Sequence, residues 1–291
     1  MIADDLVFLE EFTVVAPLGI RFRDAVTGSV IDDRLTVVAY PPDNPTRRIT
    51  TFTNRKGVFV FRDLPGLRDA ENSAGDADFW ATPPKKRPFV VEVKDERDRF
   101  LPATLNIDVP VRGLYRWEPE PPTSPPSAES PVLLYSAPSR PPVPAMAVVR
   151  AELWDPTLNR PAAWALVEAL IDGDVQGRGI SDEEGRLLLM FPYPEPKDTS
   201  PSPPAGSPPG GGPTRLVDRT WPLQLQAFYT PGATVPKIPD LNKVFEQTPA
   251  TLWRTLSPNA PLGPQTLKYG SELILATQSK SELWITTLSS P

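Results

Sequence analysis

The fold is decided by a stretch that reads Phe22-Arg-Asp24-Ala-Val-Thr-Gly28 and continues Ser-Val-Ile-Asp-Asp-Arg-Leu35-Thr-Val-Val-Ala39. An aspartate side chain opens a turn by bonding to the backbone, and glycine supplies the positive φ that closes it. Apolar and β-branched residues, which favour strands, flank the turn. The stretch therefore predicts a strand, a tight turn and a second strand.

The same plan returns in the second half of the chain. It reads Leu153-Trp-Asp155-Pro-Thr-Leu-Asn159 and continues without a gap to Leu170. Asparagine stands in place of the turn glycine, and it also tolerates positive φ. The composition of residues 162–170 is helical, but Pro161 and the alignment with the first half favour a strand.

Two further blocks recur in the same order. A polar turn that ends in glycine leads into an apolar strand, as Thr53-Asn-Arg-Lys-Gly57 and as Ser181-Asp-Glu-Glu-Gly185. A strand of alternating apolar and polar residues follows, beginning at Pro88 and at Pro222. Three blocks in one order at nearly the same spacing predict a tandem duplication of an all-β sandwich.

Proline-rich stretches divide the chain, which holds 40 prolines in 291 residues. Proline lacks the backbone N–H and fixes φ, so such stretches favour extended spacers. We expect an N-terminal arm (1–16), a first sandwich (17–118), a linker (119–145) and a second sandwich (146–265) with a proline-rich insertion (192–213). A C-terminal β-ribbon (266–291) completes the chain.

Two short segments carry local signals of their own. Asp240 to Phe245 predicts one turn of helix with Asp240 as N-cap. Near the C-terminus, Ser271-Glu-Leu-Ile-Leu275 recurs as Ser281-Glu-Leu-Trp-Ile285. These two runs predict either a hairpin that closes the second sandwich or an edge ribbon offered to a neighbouring protein.

Composition excludes several kinds of chemistry. The chain has no histidine and no cysteine, which excludes Ser-His-Asp and thiolate catalysis, disulfides and cysteine-type zinc sites. We predict no enzyme activity, no cofactor and no metal site. Asp182, Glu183 and Glu184 cluster before a glycine, and we interpret them as a solvated turn in preference to a calcium site or a glycosidase pair.

Charge and hydropathy limit the partners. The formal net charge is −6, which argues against nucleic-acid binding. No apolar run reaches the length of a membrane-spanning helix, and the acidic N-terminus does not fit a signal peptide. We therefore expect a cytoplasmic location and no membrane insertion.

The turns and strands described above resemble carboxypeptidase-regulatory-like modules over residues 17–110 and 146–239. That family has a transthyretin-like β-sandwich fold, and its implied role is non-catalytic, as a spacer, scaffold or binding unit. Asn159 and the insertion depart from its pattern. An unsecreted, cysteine-free chain with two such modules is similar in overall style to accessory proteins of phage-tail-like contractile injection systems, notably in the run Arg97-Asp-Arg-Phe-Leu-Pro102.

These resemblances imply a structural or adaptor subunit present in multiple copies in a large assembly of proteins. A pair of carbohydrate- or surface-binding modules is the alternative. Exposed aromatic and apolar residues anchor protein partners or stack on sugars. The candidate partner-binding residues are Trp80, Trp117, Trp221, Trp253, Leu273, Ile274, Leu283, Trp284 and Ile285, whereas Trp154 and Trp164 are predicted to lie in the core.

Overall fold

The structure is a computed structural model that describes Ala16 and residues 18–67, 86–110, 131–195 and 218–287. The regular secondary structure of the described residues is almost entirely β-strand, as predicted. We call β1 to β9 the first half and β10 to β20 the second half. Trp80 and Trp117 lie outside the described residues, as do the N-terminal arm up to residue 15, residues 119–130 of the linker and most of the insertion at 192–213.

The first half forms two sheets. Their strand orders are β2-β1-β6-β5, with β9 beside β1, and β4-β3-β7-β8. The strands are β1 Leu18–Asp24, β2 Val30–Ile31, β3 Leu35–Tyr40, β4 Ile49–Thr50, β5 Phe52–Thr53, β6 Val58–Phe61, β7 Lys86–Asp95, β8 Ala103–Pro110 and β9 Val132–Leu134.

The second half forms one continuous hydrogen-bonded sheet of eleven strands, in which β11-β10-β20-β16-β15-β12-β13 is the main path. The strands are β10 Met146–Asp155, β11 Arg160–Pro161, β12 Leu166–Ile171, β13 Asp174–Ile180, β14 Arg186–Pro192, β15 Thr220–Phe228, β16 Pro249–Leu256, β17 Asn259–Pro261, β18 Gln265–Lys268, β19 Glu272–Leu275 and β20 Leu283–Thr287. Helix α1, Leu241–Phe245, begins after Asp240, whose carboxylate accepts the backbone N–H of Asn242 as predicted for an N-cap.

Strand pairing follows the same pattern in the two halves. β1 pairs with β2 and β6 in antiparallel fashion and with β9 in parallel; β10 pairs likewise with β11, β14 and β19. β7 lies between β3 and β8, and β15 lies between β12 and β16. The repeated sequence blocks therefore occupy corresponding strands.

The repeated turns also share their hydrogen bonds. The Asp24 carboxylate accepts the N–H of Val26, and Asp155 accepts the N–H groups of Thr157 and Leu158. Gly28 and Asn159 both have positive φ, at 69° and 50°. The turn chemistry predicted from the sequence is confirmed at both positions.

The acidic cluster before Gly185 caps the turn between β13 and β14. Asp182 Oδ1 accepts the N–H groups of Glu184 and Arg186, just as Asn54 Oδ1 accepts those of Lys56 and Val58. The Asp182 side chain is buried, which corrects the expectation that the whole cluster is solvated, whereas Glu183 and Glu184 are exposed.

The C-terminal strands do not form a hairpin with each other. β19 pairs in parallel with Val148–Ala151 of β10, and β20 pairs with Leu153 and Trp154 farther along β10 and with β16. Leu283 and Ile285 alternate into the core of the second half. Burial of these two side chains, rather than pairing between the two runs, places the C-terminal segment within the second half.

Residues 131–145 belong to the first half, although their composition predicts a spacer. β9 extends the sheet of β1, and the backbone N–H of Leu101 donates to the carbonyl of Tyr135. Arg140 then forms a nearly buried ion pair with Asp24 at 2.6 Å. These contacts place β9 and the following loop against the β7–β8 connection.

The two halves share a hydrophobic core. The larger cluster is built on the first half and includes Trp164, Leu166, Ile180, Leu241 and Val244 of the second half. Polar contacts support this interface, since the backbone N–H of Thr104 donates to the carbonyl of Pro239 at 2.8 Å. The halves therefore pack directly against each other, and a cleft opens beside this contact.

Candidate partner-binding cleft

A cleft of about 850 Å³ lies between the two halves. One wall comes from the β7–β8 connection and the loop after β9; the other comes from β10, the β13–β14 turn and β19. Residues 237–238, just before α1, contribute to the same cleft. The cleft therefore exists only because segments distant in sequence meet at the contact between the halves.

Apolar side chains line part of the cleft. Phe100 and Leu101 contribute from the first half, and Trp164, Ile274 and Leu275 contribute from the second. Ile274 is 73% exposed, the highest value among the exposed large hydrophobic residues in the described part of the chain. Its neighbours in the cleft are largely buried, so Ile274 is an apolar residue that the monomer leaves uncovered.

Trp164 is held rigidly at the boundary between the halves. Its indole N–H donates to the carbonyl of Pro236 at 2.9 Å, and its own carbonyl accepts from the Gln247 amide at 2.9 Å. Its φ is +62°, a conformation that is costly for a bulky residue and is maintained only by surrounding contacts. The prediction that Trp164 lies in the core is confirmed.

Three of the cations that line the cleft are paired within the chain. Lys94 binds Glu92 at 2.8 Å, and Arg186 binds Asp182 at 2.7 Å. Arg150 pairs with Glu272 and also donates to the carbonyl of Pro138. Internal carboxylates thus already compensate these positive charges.

The remaining charge of the cleft is negative. Three carboxylates that line it, those of Asp98, Glu152 and Glu183, form no ion pair with another described residue. Among the cations that line it, only Lys237 likewise forms no ion pair with a described residue. Carboxylates without a cation partner attract positively charged ligands. The uncompensated charge of the described cleft lining is therefore negative.

Asp95, at the first-half wall, has a different role. Burial raises the pKa of its carboxyl, but the hydrogen bonds and charge of Arg99 outweigh burial, so the pKa lies below its ordinary value. Arg99 also contacts Asp33, so it links β7 to the loop before β3. Asp95 therefore fixes the loop that forms the cleft wall.

Trp221, Trp253 and Trp284 are each half-buried in the second half. The Trp221 ring packs against Tyr193, with ring centroids 5.3 Å apart, and the Trp253 indole N–H donates to Thr286 Oγ1 at 2.9 Å. These three residues do not line the cleft.

The candidate residues on β19 and β20 differ in whether their side chains are exposed or buried. Ile274 lies in the cleft, and Leu273 is half-buried against the second core. Leu283 and Ile285 are 1% and 0% exposed, which corrects their assignment as partner contacts because core packing occupies both side chains.

Glu152 and Lys237 were not predicted from the sequence, and Glu183 was predicted only as part of a turn. Single charged residues on a strand and in a loop carry no local signal of a site. The cleft brings them near Ile274 through tertiary contacts that no spacing in the chain encodes.

Among the residues that the structure describes, no His, Cys, Asp and Glu side chains form a group of three that could hold a metal ion. Within the same residues, every helix is too short or too polar to cross a membrane.

Comparison with known proteins adds little to these observations. No family model matches the chain, and no curated protein matches it. Among solved structures, the Bacillus anthracis TIE protein aligns with 91% of this chain and 34% of its own, at 9% identity and a TM-score of 0.24. The chain thus spans about a third of that structure, and a TM-score this low does not establish a shared fold.

Proposed function

We propose that this chain is a non-enzymatic structural or adaptor subunit, built from two tandem transthyretin-like β-sandwiches, that assembles with other proteins. The repeated strand pairing and the shared turn hydrogen bonds support the tandem architecture. Direct packing of the halves supports a unit that presents one composite surface.

The observation that carries the proposal is the position of Ile274. It lies in a cleft between two packed halves, on a strand fixed by parallel pairing to β10, and is 73% exposed. A large apolar side chain beside Phe100, Leu101 and Trp164 loses water contact when a partner covers it, and such burial stabilises association. A partner protein supplies that cover.

The assembly that we propose is a phage-tail-like contractile particle, on the basis of the resemblance in overall style, notably around residues 97–102. The expected stoichiometry is several copies per particle. The cleft faces the neighbouring subunit in this arrangement.

The aromatic cluster around Tyr193 gives no support to carbohydrate binding. Tyr193 contacts Trp221 and Tyr269, with ring centroids 5.3 and 4.7 Å away and interplanar angles of 34° and 41°. Rings this close and this tilted cover one another, whereas a sugar-binding face requires ring faces that remain open to the ligand. Tyr193 also accepts the N–H of Gly270 through its hydroxyl oxygen. We therefore assign this cluster to the fold.

Sedimentation from a gently lysed host that naturally encodes the chain tests the proposal. We expect the chain to migrate with a megadalton particle that contains tube and sheath proteins. Migration with a different large assembly would retain the adaptor function and reject the contractile particle. Migration as a free chain of 32.0 kDa would reject both.

A further inference from the structure

We infer that the cleft between the halves binds an extended segment of a partner protein that carries an aliphatic side chain next to Lys or Arg. This inference rests on the proposed function and specifies the chemistry of the partner. It follows from three features of the cleft, which are its uncovered apolar residue, its unpaired carboxylates and its edge strand.

The aliphatic side chain of the partner packs against Ile274. This residue projects from β19 into a cleft whose other apolar residues include Trp164 and Phe100. A polar segment would leave the Ile274 side chain in contact with water and gain nothing from apolar burial.

The basic side chain of the partner meets Glu152 and Glu183. Both carboxylates line the cleft, both are exposed, and neither forms an ion pair with another described residue. Arg150 and Arg186, the nearest cations in sequence, are already paired with Glu272 and with Asp182. Among the described lining residues, Lys237 offsets only one of the three carboxylates without an ion pair, so a partner with Lys or Arg adds the remaining positive charge, whereas an acidic segment is repelled.

An extended conformation of the partner follows from β19. This strand pairs with β10 along one edge, and no described strand pairs with its other edge. In a parallel pair, alternate residues direct their backbone N–H and C=O groups away from the partner strand. Such an edge accepts an added strand, which gives affinity through main-chain hydrogen bonds.

The N-terminal segment of the chain itself does not have this chemistry. Residues 1–15 contain Asp4, Asp5, Glu10 and Glu11 and no Lys or Arg. Their negative charge opposes that of Glu152 and Glu183, so this N-terminal segment does not fit the cleft.

Photo-crosslinking in the native host identifies the occupant. A benzophenone amino acid replaces Ile274 in the full chain, and a matched variant carries it at Leu158, an exposed leucine on the β10–β11 turn. We expect position 274, and not position 158, to crosslink to one segment of another protein that contains aliphatic residues and Lys or Arg. A crosslink to this chain, to a second copy of it or to an acidic segment would overturn the inference.

The crosslinked segment is then synthesised as a peptide and titrated against the full chain. Ile274→Asp should weaken binding about tenfold or more, because apolar burial is lost and a carboxylate must be desolvated against the aliphatic side chain. Glu152→Gln with Glu183→Gln should weaken it about threefold and reduce its dependence on salt. Leu158→Asp should leave affinity unchanged.

The outcomes separate this inference from the proposed function. A chain that sediments with a large particle but gives no crosslink from position 274 retains the adaptor function and refutes the cleft as its docking site. Equal peptide affinity for the wild type and Ile274→Asp refutes it as well.

Discussion

Removal of the Arg140 guanidinium is expected to destabilise the first half strongly. Arg140 donates to both carboxylate oxygens of Asp24, at 3.0 and 2.6 Å, and to Ser136 Oγ at 2.9 Å. The two charged side chains are only 11% and 6% exposed. Arg140→Met preserves much of the side-chain volume and leaves the buried Asp24 carboxylate without its cation.

The expected cost is about 3 kcal/mol of unfolding free energy. Loss of one partner from a buried ion pair costs about 3–5 kcal/mol, because the remaining charge stays desolvated. Asp24 keeps its hydrogen bonds from Val26 N–H and Thr27 Oγ1, which places the cost at the low end of that range. Adding Asp24→Asn to Arg140→Met removes the charge and should restore more than half of the loss.

Urea unfolding at pH 7, followed by tryptophan fluorescence, measures these differences. Arg97→Met is the matched control, because the Arg97–Asp33 pair is 55% and 49% exposed and its loss should cost less than about 1 kcal/mol. An equal loss of unfolding free energy in Arg140→Met and Arg97→Met would refute the claim that the buried Arg140–Asp24 pair matters more than the exposed Arg97–Asp33 pair. An unchanged cost after addition of Asp24→Asn would assign the effect to lost packing instead of charge.

The same pair predicts a pH dependence. Burial raises the pKa of Asp24, but the hydrogen bonds of Arg140, Val26 and Thr27 outweigh it, so the folded-state pKa lies below the ordinary value of 3.8. The stabilisation is therefore present above pH 3.8 and is lost as pH falls through the lowered pKa. In Arg140→Met, burial raises the pKa of Asp24. The difference in unfolding free energy between this variant and the wild type should therefore narrow as the pH falls from 7. A constant difference down to pH 4 would contradict this reasoning.

Three further changes test the packing, the turn and the titration. Gly177→Ala should lower the unfolding free energy by about 1–3 kcal/mol, because the new Cβ would lie 2.7 Å from the Cβ of Phe191. Gly263→Ala places its Cβ in open space and should lower the free energy, measured by urea unfolding, by less than about 0.5 kcal/mol. Asp182→Ala should lower the thermal midpoint, since two backbone N–H groups lose their acceptor, while Asp182→Asn retains an acceptor and should cost less than about 1 kcal/mol. Burial is the main cause that raises the pKa of Tyr229 to about 12. The neutral Tyr229 side chain therefore contributes to stability below pH 10, and this contribution is lost as pH rises toward 12. Tyr229→Phe should flatten the fall in unfolding free energy between pH 9.5 and 11.5.

Each of these three has a contrary result. Equal costs for the two glycine substitutions would reject close approach of β13 to β14. Equal midpoints for Asp182→Asn and Asp182→Ala would reject the capping role. Parallel alkaline stability curves for the wild type and Tyr229→Phe would reject the raised pKa.

Local turn chemistry was predictable from the sequence, because the residues that decide it are neighbours. Asp24 and Gly28, and likewise Asp155 and Asn159, bond or bend their own backbone within five residues. The N-cap at Asp240 is a signal of the same local kind. Such features depend little on the rest of the fold.

Strand partners were not predictable in the same way. β19 and β20 are close in sequence, yet each pairs with β10, more than a hundred residues earlier. Core burial of Leu283 and Ile285 decides that arrangement, and it depends on the assembled sheet. Proline composition likewise concealed β9, because the three apolar residues Val132–Leu134 suffice to add a strand to β1.

The cleft depends on contacts that are still more distant. Ile274 was identified from the apolar pattern of its strand, but its exposure follows from the position of the first half. Glu152 and Glu183 gain their significance only because the nearby cations are paired elsewhere. Pairing of this kind can be read from a structure and not from residue spacing.

The most direct test of the account compares two matched variants in the native host. Ile274→Asp and Leu158→Asp each place a charge at an exposed apolar residue, and only Ile274 lies in the cleft. The measurement is the fraction of each variant that sediments with the large assembly, at equal expression and equal thermal stability. We expect Leu158→Asp to remain with the assembly and Ile274→Asp to be released as free chain. Retention of Ile274→Asp at the wild-type level would contradict the claim that this protein assembles through its cleft.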